Sequence, residues 1–521
     1  MIEPMEAPSP AQVRQQHLRA SPQHRRRGNR YFELAATAVR RTADSLSTRS
    51  LANIIVGIFA LVSAGTMILT PPFQSPDSQV HFDRTVGISY GELIGSTSGR
   101  LAGGYLPAGL SQVANAFSPL PTEPSVKTSA RAYALANTAP WNGPRVFQPF
   151  PATTTRNPIL YMPGAIAIVI SRLFSNRILV AYYMVELTNL LLFLVMIWWS
   201  IRQFHYTLAV PICIFTLLPM VVFLASSVNP DGLLIGLSIV YAAAIFQLFQ
   251  RSTTQRHTAT TTTGVTRFIR RLIPSGLGRY DAIAWASLAL ISFDKPPYAA
   301  LGLILGISYL RQHDYPSYVK TVLLGIGSIA VIELAWLALG SRAGRVPVVT
   351  GSQNVSASRQ GQYVIHHLDS LAPLLFNTIK ADAGFYTRSG IGILGWLDTP
   401  LPSWSYIGAA ILIIASVIGL MATTRPQPLL LVVAGVAIVA AALLTFLTLY
   451  ADWTPVGAKT VLGIQGRYLL PLFPILVACI GLSPRNSRSL RLPGLIGVLV
   501  MGMGCEVTMT IVLLTRYWAA G

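Results

Sequence analysis

The chain reads as an all-α polytopic membrane protein of about eleven transmembrane helices, N-terminus inside and C-terminus outside. Three observations lead there. Of the 521 residues, 52% are hydrophobic and 11% charged, where an average soluble domain carries roughly a quarter charged residues. The apolar residues gather in runs of about 17–23, the length that crosses a hydrocarbon core of about 30 Å. Lys and Arg number 39 against 19 Asp and Glu, a formal charge of +20, as expected where basic loops are held on the cytoplasmic side. A soluble enzyme, a disordered protein and an outer-membrane barrel, whose strands span about 10 residues, are excluded. The basic excess is assigned to membrane orientation, and no nucleic-acid partner is expected.

Residues 1–50, with Arg25-Arg26-Arg27 among scattered Pro and Ser, read as a basic disordered cytoplasmic tail, and 51–521 as the membrane domain. The run Leu51–Thr70 lies too far from the start for a signal peptide and lacks a small-residue cleavage site, so it is a signal anchor. Further runs follow at about 178–200, 207–228, 230–250, 282–293, 296–310, 319–340, 404–423, 427–449, 467–482 and 494–514. Those at 282–293 and 296–310 are short, as in tilted or broken helices buried in a bundle. Pro158–Phe174 admits two readings. As a full span it puts the Arg-rich loop 251–281 outside; as a helix lying on the outer face it keeps that loop cytoplasmic, with Arg202, Arg311, Lys320, Arg425 and the Arg485/Arg488/Arg491 cluster. The positive-inside rule favours the second. It leaves large outer segments at 71–177 and 341–403, punctuated by Pro and Gly. Cys213, Cys479 and Cys505 all fall within apolar runs and form no disulfide or metal spacing.

With this topology the loops richest in Asp, Lys, Pro and Gly share the outer side. Pro71-Pro72-Phe-Gln-Ser-Pro-Asp77 follows the first span, with His81, Asp83 and Arg84 just beyond. The plain alternative is a helix N-cap at Asp77. Asn229-Pro230-Asp231-Gly232 joins two spans, again with capping as the bland account. Asp294-Lys295-Pro296-Pro297 sets opposite charges between short apolar segments, where a charge persists only if paired or functional. Gln465-Gly466-Arg467-Tyr468 opens a span with Arg at its outer end, against the positive-inside bias.

These residues carry a resemblance. Pro71–Arg84 with Gly103-Gly104-Tyr-Leu-Pro107, Leu218–Gly232, Asp294–Pro296, Leu394–Pro402 and Trp453–Pro471 resemble a bacterial membrane-protein family of unknown function, catalogued under number 2142. One departure is Asp77-Ser78, where such proteins often read Asp-Glu. The family in turn is similar in layout to C-type membrane glycosyltransferases, which use polyprenyl-phosphate sugars. They share a cytoplasmic N-terminus, a large first outer loop with surface-lying helices, and an acidic residue soon after the first span. Asn157–Pro163 resembles the proline-rich start of their surface helix.

That resemblance implies a site on the outer face of a bacterial cytoplasmic membrane, with membrane lipid, a polyprenyl-phosphate-linked sugar and a glycan acceptor as partners. An inverting transfer needs a carboxylate base for the acceptor hydroxyl and cations for the departing phosphate. On this reading Asp77 is the base with Asp83 as second candidate, and Lys295, Arg467 and Arg84 contact the phosphate. His81, Trp396, Asp398, Asp231 and Gln465 line the substrate path, where an aromatic face suits a sugar and an interfacial anchor is the plain alternative for Trp396. No motif calls for a cofactor or a metal, although outer carboxylates have the chemistry to hold a divalent cation. Two rivals stand beside this: a transporter or flippase for a lipid-linked glycan, and a non-catalytic partner in envelope assembly.

Overall fold

The computed structural model describes residues 47–99, 101–254, 278–310, 315–340, 354–425, 427–483 and 490–519. The basic tail up to residue 46, most of loop 251–281 (residues 255–277), residues 341–353 of the segment expected outside at 341–403, Arg311, Arg485 and Arg488 lie outside them.

Seven described helices are long and apolar enough to cross a membrane: α1 (Thr48–Leu69), α7 (Ile178–Ile201), α10 (Asp231–Thr254, apolar over Asp231–Gln250), α13 (Tyr315–Gly340, apolar over Val322–Gly340), α16 (Ser403–Thr423), α17 (Pro428–Asp452) and α19 (Arg491–Tyr517). α8 (Tyr206–Thr216) and α9 (Pro219–Ala225), bent by 73°, make an eighth if the pair crosses as one broken span. The bend has a local cause: Leu218 precedes Pro219 and takes an extended ψ of 134°, because proline crowds a helical predecessor. The chain is therefore a multi-pass, mostly helical membrane protein. The other expected spans fold as shorter pieces around prolines: α11 (Arg279–Asp294), a 3₁₀ turn at Pro296–Leu301 leading into α12 (Gly302–Leu310), and a 3₁₀ turn at Gly466–Leu469 leading into α18 (Leu472–Ile480).

α10 is the most enclosed of the seven long helices and packs on α7, α11 and α18, while α1 packs on α7 and α19. The bundle has two distinct ends. At one, His205 Nε2 lies 2.8 Å from the Gly481 carbonyl oxygen, Gln250 donates to the Leu482 carbonyl at 2.6 Å, and Arg425 N donates to that of Ser483 at 3.0 Å. The other end carries the segments after α1, before α10, after α11 and before α18, which form the site described below.

Residues 71–177 are not all helical, and here the all-α expectation is corrected. Beside α2 (Ser78–Ser89), α3 (Gly109–Phe117), α4 (Ala130–Asn137), α5 (Pro151–Thr154) and α6 (Met162–Arg172) runs an antiparallel sheet of β1 (Ser96–Ser98), β2 (Leu101–Pro107) and β3 (Arg145–Pro149). Gly103 pairs with both Ser96 and Pro149, and a Cβ on it would strike the Gln148 carbonyl. Glycine lowers strand propensity, so the sequence conceals a strand whose close pairing requires it. A second, two-stranded sheet joins β4 (Ile393–Leu394) to β5 (Thr399–Pro400), between α15 (Leu371–Ile391) and α16. The remaining helix, α14 (Ala357–His366), precedes α15. At 11 residues, α6 is about 16 Å long, near half a hydrocarbon core.

Candidate functional site

Four short segments, far apart in the chain, meet at one end of the bundle. Asp77 stands at the N-cap position of α2 in left-handed backbone geometry, φ 59°, yet its side chain makes no capping hydrogen bond. Instead its Oδ2 accepts from Arg467 Nη2 at 2.7 Å. Arg467 is held by the 3₁₀ turn before α18, where Gly466 lies so close to α15 that a Cβ would run into the Tyr386 carbonyl oxygen. The Arg467 Nε lies 3.9 Å from Asp231 Oδ2, and Lys295 Nζ donates to Asp231 Oδ1 at 2.6 Å. The result is a string of alternating charge, Asp77, Arg467, Asp231, Lys295. A second pair, Arg156 Nη1 and Asp294 Oδ1, stands 3.8 Å apart and is joined to it through the adjacent residues Asp294 and Lys295.

Neutral groups fix the string. Asn229 donates to the Pro76 carbonyl at 3.1 Å and accepts from Asp231 N at 2.8 Å, so one amide ties the loop after α1 to the start of α10. Gly232 lets that start pack closely, since a Cβ there would lie 2.7 Å from Ala225 Cα. Lys295 and Arg467 both lie over the Tyr468 ring, 4.9 and 5.3 Å from its centroid. The Tyr298 hydroxyl donates to the Tyr468 carbonyl. Paired and faced by aromatics, the buried charges avoid much of the penalty of leaving water.

Exposure is uneven along the string. The Arg467 side chain is 1% exposed and Asp231 9%, whereas Asp77 is 50% exposed. Burial acts to raise the Asp77 pKa, but the Arg467 guanidinium outweighs it and holds the carboxyl below the usual range. His81 is buried, with Nδ1 2.9 Å from the Tyr161 hydroxyl. Burial first and the Arg156 charge second push its pKa down to about 3, so at neutral pH the ring is uncharged. Burial pushes Asp83 up to about 7. Asp83 forms no ion pair among the described residues and is no part of the charged string.

The structure thus brings together Asp77, Arg467, Asp231 and Lys295, with His81 one helical turn further along α2, its backbone N–H donating to the Asp77 carbonyl at 3.1 Å. It places other expected site residues elsewhere. Arg84 donates to the carbonyls of Glu92, Leu93 and Arg156 at 3.2, 2.6 and 2.9 Å, a backbone cage that leaves it bracing a loop. Asp398 is a clamp: it pairs with Arg516 at 2.9 Å and accepts from Thr122 N, Trp396 N and Thr399 Oγ1. Trp396 donates its indole N–H to the Phe73 carbonyl at 2.7 Å, bordering the loop that carries Asp77. Gln465 lies immediately before the Arg467 turn with a buried Oε1 that has no hydrogen-bond partner among the described residues. Arg156 and Tyr161 were missed in sequence; the available signal was an Arg on an outer segment, beside the Asn157-Pro158 motif already noted. Among the described residues no three His, Cys, Asp or Glu side chains form a metal-ligand group.

Fold and site together define a multi-pass membrane protein with a charged cluster at one end of its helix bundle. Residues 59–476 match the family described as predicted membrane protein (DUF2142), and the chain belongs to that family. Among solved structures it is similar to the crystal structure of ArnT from Cupriavidus metallidurans bound to undecaprenyl phosphate. Identity is 13% and the TM-score 0.32, over 88% of this chain and 76% of that one. No curated protein matches.

Proposed function

We propose that this protein is an inverting membrane glycosyltransferase that moves a sugar from a polyprenyl-phosphate donor to an envelope glycan or lipid acceptor, on the outer face of the cytoplasmic membrane. The observation that carries the reading is the Asp77–Arg467–Asp231–Lys295 string, in which Arg467 is buried and Lys295 only 14% exposed, both held by carboxylates, while the terminal carboxylate of Asp77 is half open. The string lies at one end of the bundle, which suits a site served from one face better than a path through the membrane. The topology belongs to the same proposal: eleven crossings, N-terminus in, with α12 and α18 as short crossings that begin at the site end. The hydrogen bonds that the carbonyls of Gly481, Leu482 and Ser483 accept at the far end of α18 support it.

In this mechanism the donor phosphate lies against Arg467 and Lys295, which stabilise the charge that develops as the bond from the anomeric carbon to the phosphate oxygen breaks. The acceptor oxygen bonds that carbon from the opposite face, its proton passes to Asp77, and the polyprenyl phosphate departs with the electron pair. Neutral His81 and the Tyr468 ring border the reacting groups.

The test is transfer by the purified protein in lipid nanodiscs, using a panel of radiolabelled polyprenyl-phosphate sugars and cell-envelope acceptors. Asp77→Asn is expected to lower transfer by about 10²–10⁴-fold, the usual contribution of a general base, with unchanged thermal unfolding. Full activity in that variant removes Asp77 from the role. Accumulation of a completed glycan on the inner leaflet of cells lacking the gene, without build-up of a sugar donor, would instead make the protein an exporter.

A further inference from the structure

We infer that Asp77 and the donor's phosphate compete for one guanidinium, that of Arg467, so that arrival of the phosphate frees the carboxylate to act on the acceptor. The inference rests on the glycosyl-donor reading above and adds an order to it: donor first, base released second.

Four observations carry it. Asp77 occupies the N-cap of α2, where an aspartate ordinarily accepts a backbone N–H, but its side chain makes no such bond and turns to Arg467. The two partners differ in freedom: Arg467 is 1% exposed and Asp77 50%, so an incoming anion would displace the carboxylate and leave the guanidinium in place. Arg467 keeps a second anchor in Asp231, itself bonded to Lys295, so losing Asp77 does not strand a buried cation. Finally, Nε and Nη1 of Arg467 donate no hydrogen bond among the described residues. A phosphate has several acceptor oxygens and suits the planar fork of an arginine, where Asp77 takes only one donor.

The chemistry rewards the exchange. A carboxylate paired with a guanidinium is a weaker base than a free one. While tied, Asp77 is poorly suited to remove an acceptor proton; once the phosphate takes Arg467, the same group becomes more basic beside the reacting carbon. Ser78, which follows Asp77, turns its hydroxyl to the Ser75 carbonyl at 2.7 Å and leaves the Asp77–Arg467 pair to itself.

The experiment measures binding of undecaprenyl phosphate to the full-length protein in nanodiscs at pH 7.5 and fixed salt. Asp77→Asn and Asp77→Ser are expected to bind roughly three- to tenfold more tightly than wild type, as befits removal of one half-exposed ion pair that competes with the ligand. Equal or weaker binding by folded variants, with wild type binding normally, overturns the competition and leaves the donor reading intact. Failure of every form to bind overturns the donor reading itself. A measurement on wild type alone covers the case in which neither variant folds. Carbodiimide footprinting of Asp77, read by mass spectrometry, is expected to rise several-fold when the lipid phosphate is added, and unchanged labelling at saturation rejects the inference.

Discussion

At the scale of single residues, two neighbouring carboxylates have opposite fates. Asp77 is half open and held ionised by Arg467, whereas Asp83 is buried and titrates near 7. The pH consequence of Asp83 follows from linkage. Its folded pKa lies above the ordinary value of 3.8, so between about pH 4 and 7 the unfolded chain has lost a proton that the folded protein retains. Stability therefore falls as pH rises through that window and is flat above it. Asp83→Asn is expected to raise the unfolding temperature at pH 8 by about 1 °C per kcal/mol recovered, with the gain fading as pH approaches 4. A gain that is the same at pH 4 and pH 8 would mean that Asp83 is not the titrating group. Strained backbone marks the same neighbourhood: Phe73 and Asp77 both take positive φ, 64° and 59°. For a bulky phenylalanine that geometry is an outlier, kept where the surroundings over-determine it. Phe73 is fixed from both sides, its N–H donating to the Tyr182 hydroxyl and its carbonyl accepting from Trp396.

At the scale of elements, the site is built from turns that stop helices. The 3₁₀ turn at Gly466–Leu469 supplies Arg467, and its glycine fits against α15 with no room for a side chain. Gly466→Ala is expected to cost about 1–3 kcal/mol of stability, as overpacking generally does, and to impair transfer beyond what the stability loss explains, since it moves Arg467. Thermal unfolding together with transfer rates at matched folded fraction checks both halves. Much of this was legible in the sequence because proline, glycine and charge stand together at each helix stop: Asp77, Asp231, Lys295 and Arg467 all come from such stops. Capping chemistry suggested a different job for Asp77, because an N-cap and an ion-pair partner are the same residue type seen before the partner is known. Arg84 and Asp398 carried the right charge for substrate contact, but their partners are carbonyls and another side chain brought in by tertiary packing. The strands β1–β3 were hidden for a related reason, since Gly103 answers to its neighbour Gln148 and not to local propensity.

At the scale of the whole molecule, the segment after α3 and the end of α19 are locked together. Arg516 donates to Asp398 and to the carbonyls of Leu120 and Val126, Lys127 donates to those of Thr515 and Arg516, and Thr128 N donates to that of Tyr517. The Asp398 side chain is only 10% exposed, so removing its partner leaves a largely enclosed charge unpaired, where full burial typically costs about 3–5 kcal/mol. Arg516→Ala is expected to be strongly destabilising, and the double variant Asp398→Ala/Arg516→Ala less so. If the double variant unfolds at the lower temperature, Asp398 is not the group left stranded. The lock also bears on how the protein is made. Leu120 and its partner Arg516 are separated by 396 positions, so a ribosome adding about 5–20 residues per second delivers the early loop some twenty to eighty seconds before the arginine that fastens it. Through that interval the loop must stay unfastened without misassembling, until α19 arrives to close it.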